Sequence, residues 1–150
     1  MRTVDLNDLD LMPVVSELDP ERRAHVTFPH SSAVGNASTG TVYFELAPGD
    51  HVGMHRDSAE ELLLVLEGEA EATVGDEQAR VSAGTIVTVP AMERHNVRNV
   101  GQETLRILGF FSASTVVATF DVPVAPDGPQ VFVIGAPIPI AAPLRDPVSV

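Results

Sequence analysis

The sequence predicts an all-β fold organised as one domain, and three observations support this. Short segments alternate apolar and polar residues with the two-residue period of a β-strand. Spacers that carry Gly, Asn or Pro separate most of these segments. The length of 150 residues is that of a single domain with its own hydrophobic core. Together these features are typical of an antiparallel sandwich or barrel rather than of an α/β fold.

The individual elements follow in chain order. The stretch 1–23 is expected to be irregular or partly helical, with one short helical turn opened by Asp19 and Pro20. A loop rich in Ser, Gly and Asn follows at 31–40. Strands are then expected at 41–46, 69–74, 78–82, 85–89, 104–111 and 115–120.

Single residues mark the ends of these strands. Gly68 and Gly75 are expected to occupy turn positions with positive φ. Pro90 is expected to end a strand, and Asn99 to close a loop through side-chain-to-backbone hydrogen bonds.

One segment, Leu62 to Leu66, is apolar on both faces. Its five residues, closed by Glu67 and Gly68, have the length of a strand. An antiparallel strand normally leaves one face in water, so the second apolar face must meet another element or another subunit. This pattern predicts a homodimer.

The C-terminal tail, 122–150, carries seven prolines, which exclude a regular central strand. Residues 130–134 could still form one edge strand, and the rest is expected to wrap the surface and to be disordered near its end. The predicted organisation is therefore one domain over 1–150, with an N-terminal arm at 1–40, a barrel core at about 40–121 and the tail.

Composition restricts the partners. Nine basic against 21 acidic residues give a formal charge of −12, and the chain contains no Lys, which disfavours nucleic acid and anionic membrane surfaces as partners. No apolar run is long enough for a membrane helix and no secretory signal is visible at Met1 to Asp10, so a cytoplasmic location is expected. Cysteine is absent, so any metal must bind imidazole and carboxylate groups. A small molecule, a metal or another subunit remains.

Candidate metal ligands lie close together in the sequence. His55 and Asp57 are two residues apart, so on a strand their side chains share a face. Glu61 follows a short connection and can return to the same interior. Imidazole nitrogen with carboxylate oxygen suits Fe, Mn, Ni, Cu or Zn.

Two stretches resemble the motifs of the cupin family. Gly49 to Gly68 follows the first motif, G-x5-H-x-H-x3-E-x6-G, with Asp57 in place of the second His. Gly84 to Asn99 follows the second motif, G-x5-P-x-G-x2-H-x3-N, with Met92 in place of Gly. The fifteen residues between them match the short spacing of small single-domain cupins.

The resemblance implies a double-stranded antiparallel β-helix, the jelly-roll barrel of the cupins, with a metal in its interior. The implied ligands of a divalent metal (Fe, Mn, Zn or Ni) are His55, Asp57, Glu61 and His95. Two carboxylates would bring a divalent site to about neutral charge and shift its preference from Cu towards Mn, Fe or Zn. Glu61 could also act as the catalytic proton acceptor.

Alternatives remain open at this site. Asp57 is shorter than His and could fall short of the metal, which leaves His55, Glu61 and His95 as ligands. It could instead pair with Arg56, Arg94 or His95 in a barrel that binds no metal. His51 shares the parity of His55 and is the alternative to Asp57 as a ligand. Four residues along a strand span roughly 13 Å, which is too far for His51 and His55 to reach one metal, so His51 is expected at the rim or on the surface.

The functional hypotheses follow from the range of activities that the resemblance to the cupin family implies. The first is a metal-dependent enzyme acting on a small molecule, with dioxygenase chemistry ahead of isomerase or lyase chemistry. The second is a barrel that binds or senses a small ligand without turning it over, and the third is a metal-free scaffold. Met54, Met92, Phe110 and Phe111 are candidates for the pocket mouth, although core packing explains each of them equally well.

Overall fold

Two six-stranded antiparallel sheets form the fold. The computed structural model describes residues 1–123 and 130–135. The first sheet, in spatial order, consists of β1 (Met12–Val15), β2 (Arg23–His30), β3 (Gly40–Leu46), β10 (Leu105–Phe111), β5 (Glu61–Glu67) and β8 (Ile86–Val89). The second consists of β12 (Val131–Ile134), β11 (Val116–Phe120), β4 (His55–Asp57), β9 (His95–Asn99), β6 (Glu69–Val74) and β7 (Glu77–Ser82). The predicted all-β jelly roll is confirmed.

The alternation of the strands places one face of each sheet in the core. In β5, Leu63 and Val65 are buried while Leu62 is 40% exposed. In β6, which falls in the predicted strand 69–74, Ala70 and Ala72 are buried. The packed part of the core lies around Leu46, Val65, Leu105 and Ile107, which are almost completely inaccessible to water.

The N-terminal arm differs in part from the prediction. The predicted turn at Asp19 is present as a single hydrogen-bonded turn, in which the Arg22 N–H donates to the Asp19 carbonyl (3.1 Å) and the Glu21 N–H donates to Asp19 Oδ1 (3.0 Å). The rest of the arm is not irregular, because β1 and β2 pair as an antiparallel hairpin at the edge of the first sheet. The pairing of β2 with β3 supplies backbone partners that a short isolated helix would lack. The edge position tolerates Pro13, which has no N–H to donate.

The predicted edge strand near the C-terminus is present as β12, which pairs with β11 at the edge of the second sheet. The expected disorder at the end of the tail concerns residues outside those described. The division into arm, core and tail stays a prediction.

The predicted turn residues have the expected conformations. Gly68 and Gly75 have φ of 92° and 57°. β8 ends at Val89, directly before Pro90. Asn99 donates from Nδ2 to the carbonyls of Leu46 (2.8 Å) and Glu103 (2.7 Å).

No described residue segment covers the second apolar face of β5, on which Leu62 is 40% exposed. Leu62 and Leu64 pair with Phe110 and Leu108 of β10, and Leu64 also pairs with Ile86 of β8. We call these five residues the outer apolar patch.

In the described part of the chain, the one helical segment is Ser32–Val34, far too short to cross a bilayer.

Candidate metal centre

Four buried polar side chains meet between the two sheets. His55 and Asp57 lie on the same face of β4, and His55 pairs directly with His95 of the neighbouring strand β9. Glu61 begins β5 in the opposite sheet. All four are at least nine-tenths buried. The fold therefore brings together the four residues that the sequence singled out.

Three of these residues form a compact donor set. His55, Asp57 and His95 each offer one ligand atom, and these atoms all lie within 4.8 Å of one another. The Oδ2 atom of Asp57 is 3.5 Å from His55 Nε2 and 3.2 Å from His95 Nε2. Asp57 thus reaches the cluster despite its short side chain.

The backbone orients both imidazoles towards Asp57. His55 Nδ1 donates to the carbonyl of Gly53 (2.7 Å), and His95 Nδ1 donates to the carbonyl of Glu93 (2.9 Å). Because each Nδ1 carries the proton, each Nε2 is left to present its lone pair to the cluster. Such hydrogen bonds are the usual means by which proteins orient metal-binding His.

Two buried atoms of the cluster have no hydrogen-bond partner among the described residues. They are Asp57 Oδ2 and His95 Nε2, which lie 3.2 Å apart but are not aligned for a hydrogen bond. An unsatisfied buried polar atom costs about 1–3 kcal/mol. A divalent cation would accept lone pairs from both atoms at once. This donor set fits the predicted divalent metal cofactor.

The electrostatics of the cluster are those of a site that holds a cation. Burial would lower the pKa of His95, but the carboxylates of Asp57 and Glu61 outweigh it and raise the pKa to about 10. Burial likewise disfavours the charged form of Asp57, yet the imidazoles of His55 and His95 hold its pKa below the usual range. Without a metal, a proton on His95 therefore supplies the positive charge.

Glu61 stands slightly apart from this set. Its Oε2 is 3.4 Å from His95 Nε2, but it is not part of the three-residue donor set. Burial raises its pKa, and the nearby Asp57 carboxylate raises it further. A methyl group at Gly109 of β10 would overlap the Glu61 carboxylate, so Gly109 leaves the space in which that carboxylate lies. The ligand role of Glu61 stays a prediction.

The alternative partners of Asp57 can be located. Arg94 is largely exposed and pairs with Asp121 instead. Arg56 is exposed on the opposite face of β4. Of the candidates considered, His95 is the one beside Asp57.

His51 is not a rim or surface residue, contrary to the prediction. It is buried, and its Nε2 is 2.8 Å from Asp19 Oδ2. Asn96 Nδ2 lies 3.1 Å from the other ring nitrogen. The arm, whose fold the sequence did not reveal, covers His51 and supplies its acidic partner. His51 is not part of the donor set.

Met92 takes the place of the glycine in the second motif, and its backbone has the positive φ that favours glycine. Its φ is 66°, which makes it the one non-glycine residue with positive φ in the described ranges. Its N–H donates to the carbonyl of Asp57 (2.7 Å). The departure from the motif thus preserves a turn that holds the backbone of Asp57.

A cavity of about 380 Å³ opens beside the cluster, and His55, Asp57, Glu61 and His95 form part of its wall. Of the four residues considered for the pocket mouth, Phe111 lines the cavity, whereas Phe110 lies in the outer apolar patch and Met92 is exposed. Met54 is not among the lining residues.

Sequence reasoning missed the aromatic support of His55. Phe120 stacks on the His55 ring with centroids 4.6 Å apart, and the guanidinium of Arg22 lies 4.4 Å from the centroid of Phe120. Arg22 is buried and donates from Nε to the carbonyl of Val52 (3.1 Å). No local pattern links positions 22, 55 and 120, since only the sheet pairing brings them together.

Comparison with known proteins gives a consistent picture. Residues 42–111 match the family model described as a cupin domain. Auxin-binding protein 1 of Arabidopsis thaliana is 24% identical over 71% of this chain, and the match spans 61% of that protein's length. Two solved structures are each 20% identical. The predicted oxalate decarboxylase of Thermotoga maritima has a TM-score of 0.64 over 75% of this chain and 99% of its own. The polyketide cyclase RemF of Streptomyces resistomycificus has a TM-score of 0.60 over 74% and 78%.

Fold and site together define a jelly-roll barrel with a buried imidazole–carboxylate cluster beside an internal cavity. Residues 42–111 match the cupin domain, and Asp57 stands at the position of the second histidine of motif 1. That prediction is confirmed.

Proposed function

We propose that this cupin is a metal-dependent enzyme acting on a small molecule, with dioxygenase chemistry as the first candidate. The observation that carries the proposal is the unpartnered pair Asp57 Oδ2 and His95 Nε2, buried on the wall of an internal cavity. A cluster without a function would be expected to satisfy these atoms within the protein. A bound divalent metal would supply Lewis acidity and, if it is iron or manganese, redox chemistry.

The residues of the chain have separate roles in this proposal. His55 and His95 hold the metal through Nε2, with their rings fixed by the carbonyls of Gly53 and Glu93. Asp57 contributes an anionic oxygen and offsets the charge of the metal. Glu61, at the cavity wall beside His95, holds or accepts a proton at its carboxyl group.

Elemental analysis of protein purified without added metal tests the site. We expect about one equivalent of a transition metal in the wild-type protein, because the donor set is preformed. His95→Ala should reduce this below about a tenth of an equivalent. His25→Ala is the matched control, since His25 is exposed on β2 and should retain the metal. Absence of metal from the wild type, with no uptake on reconstitution, would rule out the proposal.

Oxygen dependence separates the candidate chemistries. A dioxygenase consumes O₂ with substrate and stops under anaerobic conditions, whereas an isomerase or lyase does not. Lyase and cyclase chemistry receive some support from the structural likeness to proteins described as a decarboxylase and a polyketide cyclase. Parallel aerobic and anaerobic assays of the metal-loaded protein distinguish these cases.

A binding or sensing cupin is the second candidate, supported by the likeness to a protein named for binding auxin. It predicts thermal stabilisation by a small ligand without formation of a product. The third candidate, a metal-free scaffold, predicts that the wild-type protein neither contains nor takes up a metal.

We further propose a cytoplasmic homodimer that uses the outer apolar patch. Ile86 is 60% and Phe110 43% exposed, and no described element covers them. Ile86→Glu should shift the protein towards monomers in sedimentation velocity experiments, whereas Gln78→Glu, at an exposed position on β7 of the other sheet, is the control. A wild type that sediments as a monomer at micromolar concentration would contradict the dimer.

A further inference from the structure

The cavity beside the metal centre concentrates the aromatic residues of the chain. Five of the six phenylalanines line it: Phe28, Phe44, Phe111, Phe120 and Phe132. They come from β2, β3, β10, β11 and β12, and so from both sheets. Phe110, the sixth, is on the outer face of the barrel. The rings therefore collect around a common space rather than serving only as general core packing.

The same wall offers very little to a charged ligand. Apart from the four residues of the metal centre, its polar side chain is Ser31, whose hydroxyl accepts a hydrogen bond from the Ala33 N–H (3.2 Å). None of the described residues lining the cavity is an Arg, and the chain has no Lys. A phosphate or a second carboxylate would lose its water here without a cationic partner, which is costly.

Arg22 is a cation close to the cavity, but its side chain does not form part of the cavity wall. Its guanidinium stacks on Phe120, and Nη1 donates to the carbonyl of Pro123 (3.2 Å). Arg22 is not among the residues that line the cavity. The guanidinium lies over the Phe120 ring, and its Nη2 is buried without a hydrogen-bond partner among the described residues.

We propose that the ligand of this site is an aromatic or similarly flat apolar molecule with a single oxygen donor. This rests on the proposed metal site: the donor, a carboxylate, phenolate or enolate oxygen, would coordinate the metal, and the ring would lie among the phenylalanines. A cavity of about 380 Å³ is at the small end of ligand pockets, which favours a molecule of about two fused rings. Sugar phosphates and small dicarboxylates are excluded as substrates.

Binding of two fluorescent probes tests the proposal in the full-length protein. The probes are 2-naphthoate, which has a ring and a carboxylate, and naphthalene, which has the ring alone. Because the chain contains no Trp, probe fluorescence can be followed without indole background. We expect naphthalene to bind the metal-free and Mn²⁺-loaded protein equally, and 2-naphthoate to bind the loaded protein at least about tenfold more tightly than the metal-free protein.

Two phenylalanine variants supply the matched comparison. Phe132→Ala removes a ring from the wall at the edge strand β12 and should weaken both probes about tenfold. Phe110→Ala removes a ring outside the cavity and should leave both affinities unchanged. Phe28→Val repeats the test from the opposite sheet if Phe132→Ala does not fold.

The outcomes separate this proposal from the metal site itself. Tighter binding of oxalate or glucose 6-phosphate than of 2-naphthoate to the loaded protein would overturn the apolar ligand class. So would failure of both naphthalene probes to bind. A third outcome is that both probes bind, that Phe132→Ala weakens them, and that Mn²⁺ changes neither affinity. This outcome would support the apolar cavity as the binding site. It would overturn the coordination of the ligand's oxygen by a metal, and with it the proposed metal function.

Discussion

At the scale of single residues, Asp57 determines the character of the site. It sits where the family motif has a histidine, and its carboxylate contacts both remaining imidazoles. In the absence of metal it holds a proton on His95 by raising that residue's pKa to about 10. Metal and proton therefore compete for the same position.

This competition predicts a pH dependence for the metal-free protein. The folded-state pKa of His95, about 10, is above its ordinary value of 6.5, so the stabilisation is fully present below pH 6.5 and is lost as the pH rises towards 10. Urea denaturation at a series of pH values should show this loss. In Asp57→Asn the decline should be smaller, because one of the two carboxylates that raise the pKa of His95 is absent and only Glu61 remains. An equal decline in both proteins would contradict the assignment.

The strained turn at Met92 gives a second prediction. A side chain at positive φ costs about 1–2 kcal/mol, and Met92 is 57% exposed, so glycine loses little packing there. Met92→Gly should therefore raise the free energy of unfolding by about 1 kcal/mol in urea denaturation. Ala91→Gly, at the exposed neighbouring position, should not stabilise the protein.

At the scale of elements, the contact between β5 and β10 determines the space available to the Glu61 carboxylate. Alanine at Gly109 would overlap Glu61 and Val42. We expect Gly109→Ala to cost about 1–3 kcal/mol of stability by overpacking and to weaken metal uptake. Combining it with Glu61→Ala should recover part of the lost stability in a double-mutant cycle, because the overlapping group is gone.

Gly101→Ala is the control for this prediction, since a methyl group there would meet its neighbours only at ordinary contact distance, 3.4 Å or more. A Gly109→Ala protein as stable as wild type, with full metal uptake, would show that Glu61 tolerates displacement.

The attachment of the arm to the barrel gives a further prediction. Replacing His51 removes its hydrogen bond to Asp19, and the half-buried Asn96 amide loses its acceptor. His51→Ala should destabilise the protein by about 1–3 kcal/mol, with increased hydrogen exchange in β1 and β2. His25→Ala, on the exposed face of β2, should change neither measurement.

Much of the barrel was predictable from alternation, because each central strand carries its pattern in its own residues. The meeting of His55, Asp57 and Glu61 at one cluster was predictable, because motif spacing fixes the parity of His55 and Asp57 and the start of β5 at Glu61. The arm was missed, although Ala24, Val26 and Phe28 of β2 alternate with polar residues and line the cavity. Its pairing, β1 with β2 and β2 with β3, has no local signal. The burial of His51 and the stack of Arg22, Phe120 and His55 depend on contacts between distant segments, which no local signal records.

At the scale of the whole molecule, the cavity is closed by both ends of the described chain. Met12 and Val14 of β1 line it, as do Phe132 and Ile134 of β12. These strands are the outer edges of the two sheets. The segment that matches the family, 42–111, contains all four candidate ligands but neither of these walls.

The candidate ligands and the two edge walls of the cavity are thus encoded in different parts of the gene. Substitutions in the two edge strands can reshape the cavity while the metal centre, built on β4, β5 and β9, is left intact. Exchanging the terminal segments between related barrels should therefore transfer ligand preference without transferring the reaction. A fragment trimmed to the family-matched core would retain the ligands and lose the walls that select what reaches them.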